Sequence, residues 1–153
     1  MKQSCEICSL LTRPAYEILV TTYWRVSLSP NQAYLGRAYI TLRDHKEFFG
    51  ELTGEEWREF SDIVSRLESA YIRAFDASPI SWGSFMDHAY REDRPEPHIH
   101  WHVFPRYKRP VQINGVTFDD PLYGDLFDHT KETVVSDEII LKIIDRIKAY
   151  LPI

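Results

Sequence analysis

The stretch that most limits what this chain can become is Pro97-His98-Ile99-His100-Trp101-His102-Val103-Phe104-Pro105-Arg106, where three of the six histidines stand at every second position. A period of two is the signature of an extended strand, whose side chains alternate between faces with a rise of about 3.3 Å per residue. The pattern predicts a strand with His98, His100 and His102 on one face and Ile99, Trp101 and Val103 on the other. The second face is core and needs a cover. The first is free for chemistry.

The remaining sequence supplies that cover. Thr53-Gly54-Glu55-Glu56 is a capping box, and behind it Trp57, Phe60, Val64, Leu67, Tyr71 and Phe75 recur every three or four residues up to Ser78-Pro79. This predicts a helix of about twenty residues packed on a sheet. Strand material comes from residues 17–28, as two adjacent strands or one bent strand, from residues 38–42 after the turn at Ser29-Pro30-Asn31-Gln32 and the break at Gly36, and from residues 80–86. A polar, Pro-containing excursion over 87–97 then leads into the histidine strand, and loops of such length often carry function.

Residues 105–135 hold Pro110, Gly115, Pro121 and Gly124 with little periodicity, so they read as an irregular arm with at most one short strand at 116–118. Ser136 caps a second helix whose apolar face is Ile139, Ile140, Ile143, Ile144 and Ile147. Residues 1–14 read as a loop or a single helical turn ending at Pro14. There is no internal repeat. The fold class is α+β.

A length of 153 residues suits one domain with a single core. The formal net charge of -5 argues against a protein that coats nucleic acid through a general basic surface, and Arg106, Lys108 and Arg109 read as a solvated loop ahead of the alternative, a local basic site. The N-terminus has no apolar run of the signal-peptide kind, and no segment approaches the ~20 apolar residues of a membrane span. The expectation is a soluble, cytoplasmic protein with no membrane partner. Two cysteines three apart exclude a disulfide scaffold and fit a reducing compartment.

Three readings compete for the histidines. As mere structure they are expensive, because each buried polar group left unsatisfied costs about 1–3 kcal/mol. As a metal site they are too spread, since His98 and His102 lie about 13 Å apart along an ideal strand, four rises of about 3.3 Å. As a phosphoryl-transfer site they fit better: one imidazole attacks phosphorus, forming a covalent phosphoramidate, while its neighbour hydrogen-bonds the phosphate or the leaving oxygen. Cys5-x-x-Cys8, taken alone, is a redox pair, half a zinc site, or two plain thiols.

Residues 98–104 resemble the His-φ-His-φ-His-φ-φ motif of the histidine-triad (HIT) family, followed by Pro105-Arg106 as in many members. Cys5-x-x-Cys8, Arg43-Asp44-His45 and the segment 51–56 stand in the family's order, so the resemblance covers residues 3–107 and leaves 108–153 as a C-terminal extension of a single domain, 1–153. It implies a HIT-like α+β fold with about five antiparallel strands, a long helix packed on them and, in this chain, a C-terminal helix. It implies a homodimer and hydrolysis or nucleotidyl transfer at the α-phosphate of a nucleotide, a dinucleoside polyphosphate or nucleoside phosphoramidate. By that motif His100 is the nucleophile and His102 the contact to phosphate and leaving group. The zinc-bearing relatives imply a structural zinc on Cys5, Cys8, His45 and His98, and no organic cofactor.

Three positions depart from the family pattern. Gly36-Arg37 replaces a Gly-His pair, Asp87 an asparagine, and Arg94-Pro95 a Gln-Ser pair. Arg37 supplies a permanent positive charge for a phosphate. Asp87 would be repelled by a phosphate, which assigns it to ribose hydroxyls or to an ion pair with Arg94. Arg37, Asp87 and Arg94 are therefore the substrate-contact candidates, and they keep open an alternative: a nucleotide-binding regulatory module with weak or no catalysis. A third class, a metal-dependent hydrolase with the triad as zinc ligands, predicts direct loss of activity on chelation. His88 and His129 lie outside the motif and read as exposed polar side chains.

Overall fold

The computed structural model describes residues 4–12 and 15–152; Met1 to Gln3, Arg13, Pro14 and Ile153, and with them the reading of the extreme N-terminus and of Pro14 as a loop end, lie outside the described residues. In chain order the elements are α1 (Glu6–Leu11), β1 (Glu17–Val20), β2 (Trp24–Leu28), β3 (Ala38–Leu42), α2 (Gly54–Phe75), β4 (Ile80–Gly83), β5 (His100–Pro105), β6 (Val111–Ile113), β7 (Val116–Phe118) and α3 (Asp137–Lys148). The first five strands form one antiparallel sheet in the order β1-β2-β3-β5-β4, and β6 and β7 form a separate hairpin. The histidine strand is thus enclosed by β3 and β4. The expected five-stranded sheet, long helix and C-terminal helix are present.

α2 starts where the capping box put it: the Thr53 hydroxyl accepts from the Glu56 amide at 3.2 Å, and the Glu56 carboxylate accepts from the Thr53 amide at 2.6 Å. It stops at Asp76, whose φ of 57° is left-handed. Its buried side, with Ile63, Leu67 and Tyr71, covers one face of the sheet, where Trp24, Val26, Ile40, Leu42, Ile99 and Val103 are buried. Trp101 joins them through Phe60, ring centroids 5.0 Å apart. The isoleucines of α3 enter this same core, and α3 lies against α2 and β1.

Cross-strand partners share a face. Thr41 pairs with His100, and Tyr39 with both Ser27 and His102, so the face away from α2 carries Ser27, Tyr39, Thr41, His100 and His102.

Several boundaries differ from the sequence reading, each for a local reason. Residues 17–28 are two strands, because the Glu59 carboxylate takes the Thr22 amide (3.1 Å), the Tyr23 amide (2.7 Å) and the Thr21 hydroxyl (2.8 Å) and fixes a turn between them. β4 ends at Gly83, three residues before the expected end. A Cβ there would collide with the ring of Phe85. The regular ladder of β5 begins at His100, and His98 and Ile99 continue it irregularly, with the Ile99 amide on the Lys46 carbonyl (3.0 Å) and the Leu42 amide on the Ile99 carbonyl (3.1 Å). The expected single strand at 116–118 is half of a hairpin turned by Asn114-Gly115, at φ 48° and 81°.

The arm after β7 is tied to β5 by one buried arginine, against the expectation of a solvated loop for Arg106, because the arm brings Asp120 onto it. Arg106, 3% exposed, grips Asp120 through Nε at 2.6 Å and Nη2 at 3.0 Å, and also donates to the carbonyls of Asp125 (2.8 Å) and Leu122 (2.6 Å). Farther on, Asn31 Nδ2 donates to the Lys131 carbonyl (2.9 Å) and the Gln32 amide to the Thr133 carbonyl (2.8 Å). The arm therefore runs along the β2–β3 connection.

Candidate active site and metal centre

The N-terminal cysteines reach the histidine strand through α1. Cys5 caps this helix, its sulfur accepting from the Cys8 amide at 3.5 Å, and the two thiols, three residues apart, share one side of it. There they meet His45, just past β3, and His98. One ligand atom from each of the four lies within 4.8 Å of all the others.

The imidazoles are oriented for ligation. His98 Nε2 donates to the Leu42 carbonyl at 2.7 Å, which leaves Nδ1 unprotonated and 3.6 and 3.4 Å from the sulfurs of Cys5 and Cys8. His45 Nε2 faces Glu47 at 3.4 Å while its Nδ1 lies 3.5 Å from the Cys8 sulfur. Tetrahedral zinc, with sulfur at about 2.3 Å and nitrogen at about 2.1 Å, spaces such ligands about 3.6 Å apart, so the four residues fit the ion. Burial pushes His98 down to about 4, keeping it neutral as ligation requires, and pushes the Cys5 thiol up, so that its thiolate needs a cation beside it.

His98 therefore turns away from chemistry, and the pair that follows makes a different contact. His100 Nδ1 donates to the His98 carbonyl at 2.8 Å, leaving Nε2 with a free lone pair. That Nε2 lies 3.2 Å from Nε2 of His102. With His100 Nε2 as the acceptor, the proton between them falls to His102, whose buried Nδ1 has no hydrogen-bond partner among the described residues. Burial lowers the pKa of His100. Burial, then the charges of His100 and Arg37, push His102 down to about 4. At neutral pH the site holds a neutral nucleophile and a neutral donor.

Both rings line a cavity of about 1140 Å³ on the sheet's uncovered face. Ile7 and Leu10 of α1 form one wall, with Tyr39 below and the 85–97 segment opposite, including Arg94 and His88. The structure thus brings His98, His100, His102 and Arg94 to one cavity. Asp87 begins a short 3-10 turn, Asp87–Arg91, and is exposed outside the lining, as is His129. Arg37 is 9% exposed, its guanidinium 4.9 Å above the Phe104 ring.

Sequence reasoning passed over Tyr39, which stands edge-on to His102 at 5.0 Å, and Phe85, which packs on His102 at 5.4 Å. It also missed Ser84, whose hydroxyl donates to the His100 carbonyl at 2.6 Å. The alternation of β3 was a signal for Tyr39. Nothing in the sequence pointed to the other two.

No family model matches the sequence, and no curated protein matches it. Solved structures do. A Hit-like protein involved in cell-cycle regulation from Bartonella henselae superposes with a TM-score of 0.70 at 15% identity, over 99% of this chain and 98% of that one. A Zn-bound histidine triad family protein from Mycobacterium smegmatis gives 0.61 at 17% identity, over 95% and 94%. A uridylyltransferase gives 0.68 at 14% identity, over 97% of this chain and 46% of that one. The likeness extends through the arm and α3, beyond the part that the motif covers. The fold of this chain is that of the histidine-triad proteins.

Proposed function

We propose that this protein is a nucleotide hydrolase or nucleotidyl transferase acting at an α-phosphate, of a dinucleoside polyphosphate or nucleoside phosphoramidate, through a covalent nucleotidyl-His100 intermediate. The observation that carries the reading is the proton arrangement of the pair: His100 Nδ1–H spent on the His98 carbonyl, and Nε2 free and facing the Nε2–H of His102 at 3.2 Å.

His100 Nε2 attacks phosphorus, the P–N bond forms as the bond to the leaving group breaks, and the positive charge on the ring is shared with the His98 carbonyl through Nδ1–H. His102 Nε2–H donates a hydrogen bond to the oxygen on which negative charge builds. Water then attacks phosphorus and gives up a proton to the solvent, the P–N bond breaks, its electron pair returns to Nε2, and His100 is left neutral with Nδ1–H retained. Both imidazoles are half-buried, and the lowered local polarity strengthens these interactions relative to open water.

Cys5, Cys8, His45 and His98 would hold a structural zinc. Four protein donors leave no open position for substrate, so the ion would supply no Lewis-acid step and would pin α1, the end of β3 and the entry to β5 together. Arg94 provides positive charge in the cavity lining and the charge of Arg37 is felt at His102, whereas Asp87 takes no part in this reading.

Turnover of an adenosine dinucleotide should follow wild-type protein and vanish in His100→Asn, with the labelled nucleotide trapped on the wild-type protein by acid quench. Equal turnover by the two proteins overturns the nucleophile. Binding of AMP without turnover by the wild type would favour the regulatory-module alternative.

A further inference from the structure

Arg37 is a buried cation whose Nε has no hydrogen-bond partner among the described residues. A buried guanidinium without a carboxylate is unfavourable unless something else answers its charge. What the protein supplies is a ring: Phe104, 1% exposed, lies 4.9 Å beneath the guanidinium carbon. The Phe127 ring stacks on Phe104 with centroids 4.1 Å apart and planes within 15°. A ring at that distance fills one face of Phe104, so the guanidinium stands on the other. The result is a sandwich of cation, ring and ring.

Phe127 belongs to the arm and is placed there by several ties. Arg106 fixes the arm's start through Asp120 and the carbonyls of Leu122 and Asp125. The Asp128 amide, next to Phe127, donates to the Tyr34 hydroxyl at 2.7 Å, and the Tyr34 ring stands edge-on to Phe104 at 5.9 Å. Phe127 also touches Phe85 at 6.1 Å, the ring that packs on His102. The neighbour Leu126, by contrast, is 84% exposed.

We propose that Phe127 is a positioning residue for anion recognition: pressed on one face of Phe104, it holds that ring flat beneath Arg37, and Arg37 receives the negative charge of a substrate phosphate. The substrate class follows from the chemistry, since a permanently charged guanidinium with no counter-ion among the described residues selects a phosphorylated, anionic substrate over its neutral nucleoside. The inference deepens the reading of the site given above and rests on it for the nucleotide, but the anion itself can be tested without one.

Calorimetry should measure the affinity of two probes, AMP and inorganic pyrophosphate, for the wild type and for Phe127→Ala, Phe127→Leu, Phe127→Tyr, Arg37→Gln, the Arg37→Gln/Phe127→Ala double variant and Leu126→Ala, with circular dichroism confirming each fold. Loss of the flat ring in Phe127→Ala and Phe127→Leu should weaken both probes by about tenfold, and Phe127→Tyr should restore wild-type affinity. The double variant should bind no more weakly than Arg37→Gln alone, because Phe127 acts through Arg37. Leu126→Ala should bind as the wild type does. Additive losses in the double variant, or equal loss in Phe127→Ala and Phe127→Tyr, overturn the proposal. If the wild type binds pyrophosphate and not AMP, the nucleotide reading fails while the anion site stands. If it binds neither, both fail.

Discussion

At His100 one carbonyl decides the chemistry: the bond from Nδ1 to His98 leaves the ring a single lone pair, aimed at His102. Replacing His100 by Asn should lower kcat by about 10³-fold or more while leaving the melting temperature within a few degrees, checked by steady-state kinetics and thermal scans. His102 carries a pH signature. Its folded value is pushed down to about 4, below the ordinary imidazole value near 6.5, so in that window the unfolded chain binds a proton that the folded chain does not. Stability should therefore be full above pH 6.5 and fall as the pH drops towards 4. His102→Gln should flatten that dependence in urea titrations run from pH 7 to 4.5. At this scale the sequence was most legible where spacing carried the signal, in His100 and His102 at alternate positions and in two cysteines three apart. It was least legible where a loop intervened: no spacing in the 84–97 segment announces that Phe85 packs on His102 or that Ser84 donates to the His100 carbonyl.

Among the elements, α2 declared both of its ends in its own residues, and its start should be measurable. Thr53→Ala removes the acceptor for the Glu56 amide and should cost about 1 kcal/mol in denaturant unfolding. α1 is the opposite case, six residues long and too short to be stable on its own. It is placed by Cys5 and Cys8 meeting His45 and His98, together with the bond from Arg25 Nη1 to the Leu11 carbonyl at 2.8 Å. Metal analysis should find one zinc per chain, and Cys8→Ser should lose that zinc and lower the melting temperature. Intact zinc content in Cys8→Ser would remove it from the ligand set. The β6–β7 hairpin was readable after all, in Asn114-Gly115, but its strands are only three residues each and show too little alternation to stand out from an irregular arm.

Over the whole molecule, the arm was the least legible part, because its place depends on one pairing, Arg106 with Asp120, that no periodicity announces. Both partners are buried, at 3% and 8% exposed. Asp120→Asn leaves the guanidinium without its counter-charge and should destabilise the protein by about 3 kcal/mol in urea unfolding, far more than loss of the exposed pair Arg109 and Asp76. The sheet order adds a consequence for the growing chain. β1, β2 and β3 form a local meander, but β4 pairs only with β5, and β5 comes later in the chain and inserts between β3 and β4. Cys5 and His98 are separated by 93 residues. During synthesis the early strands can pair at once, whereas the first helix and the fourth strand must wait for the histidine segment to leave the ribosome, making its arrival the step that commits the nascent chain to its final topology.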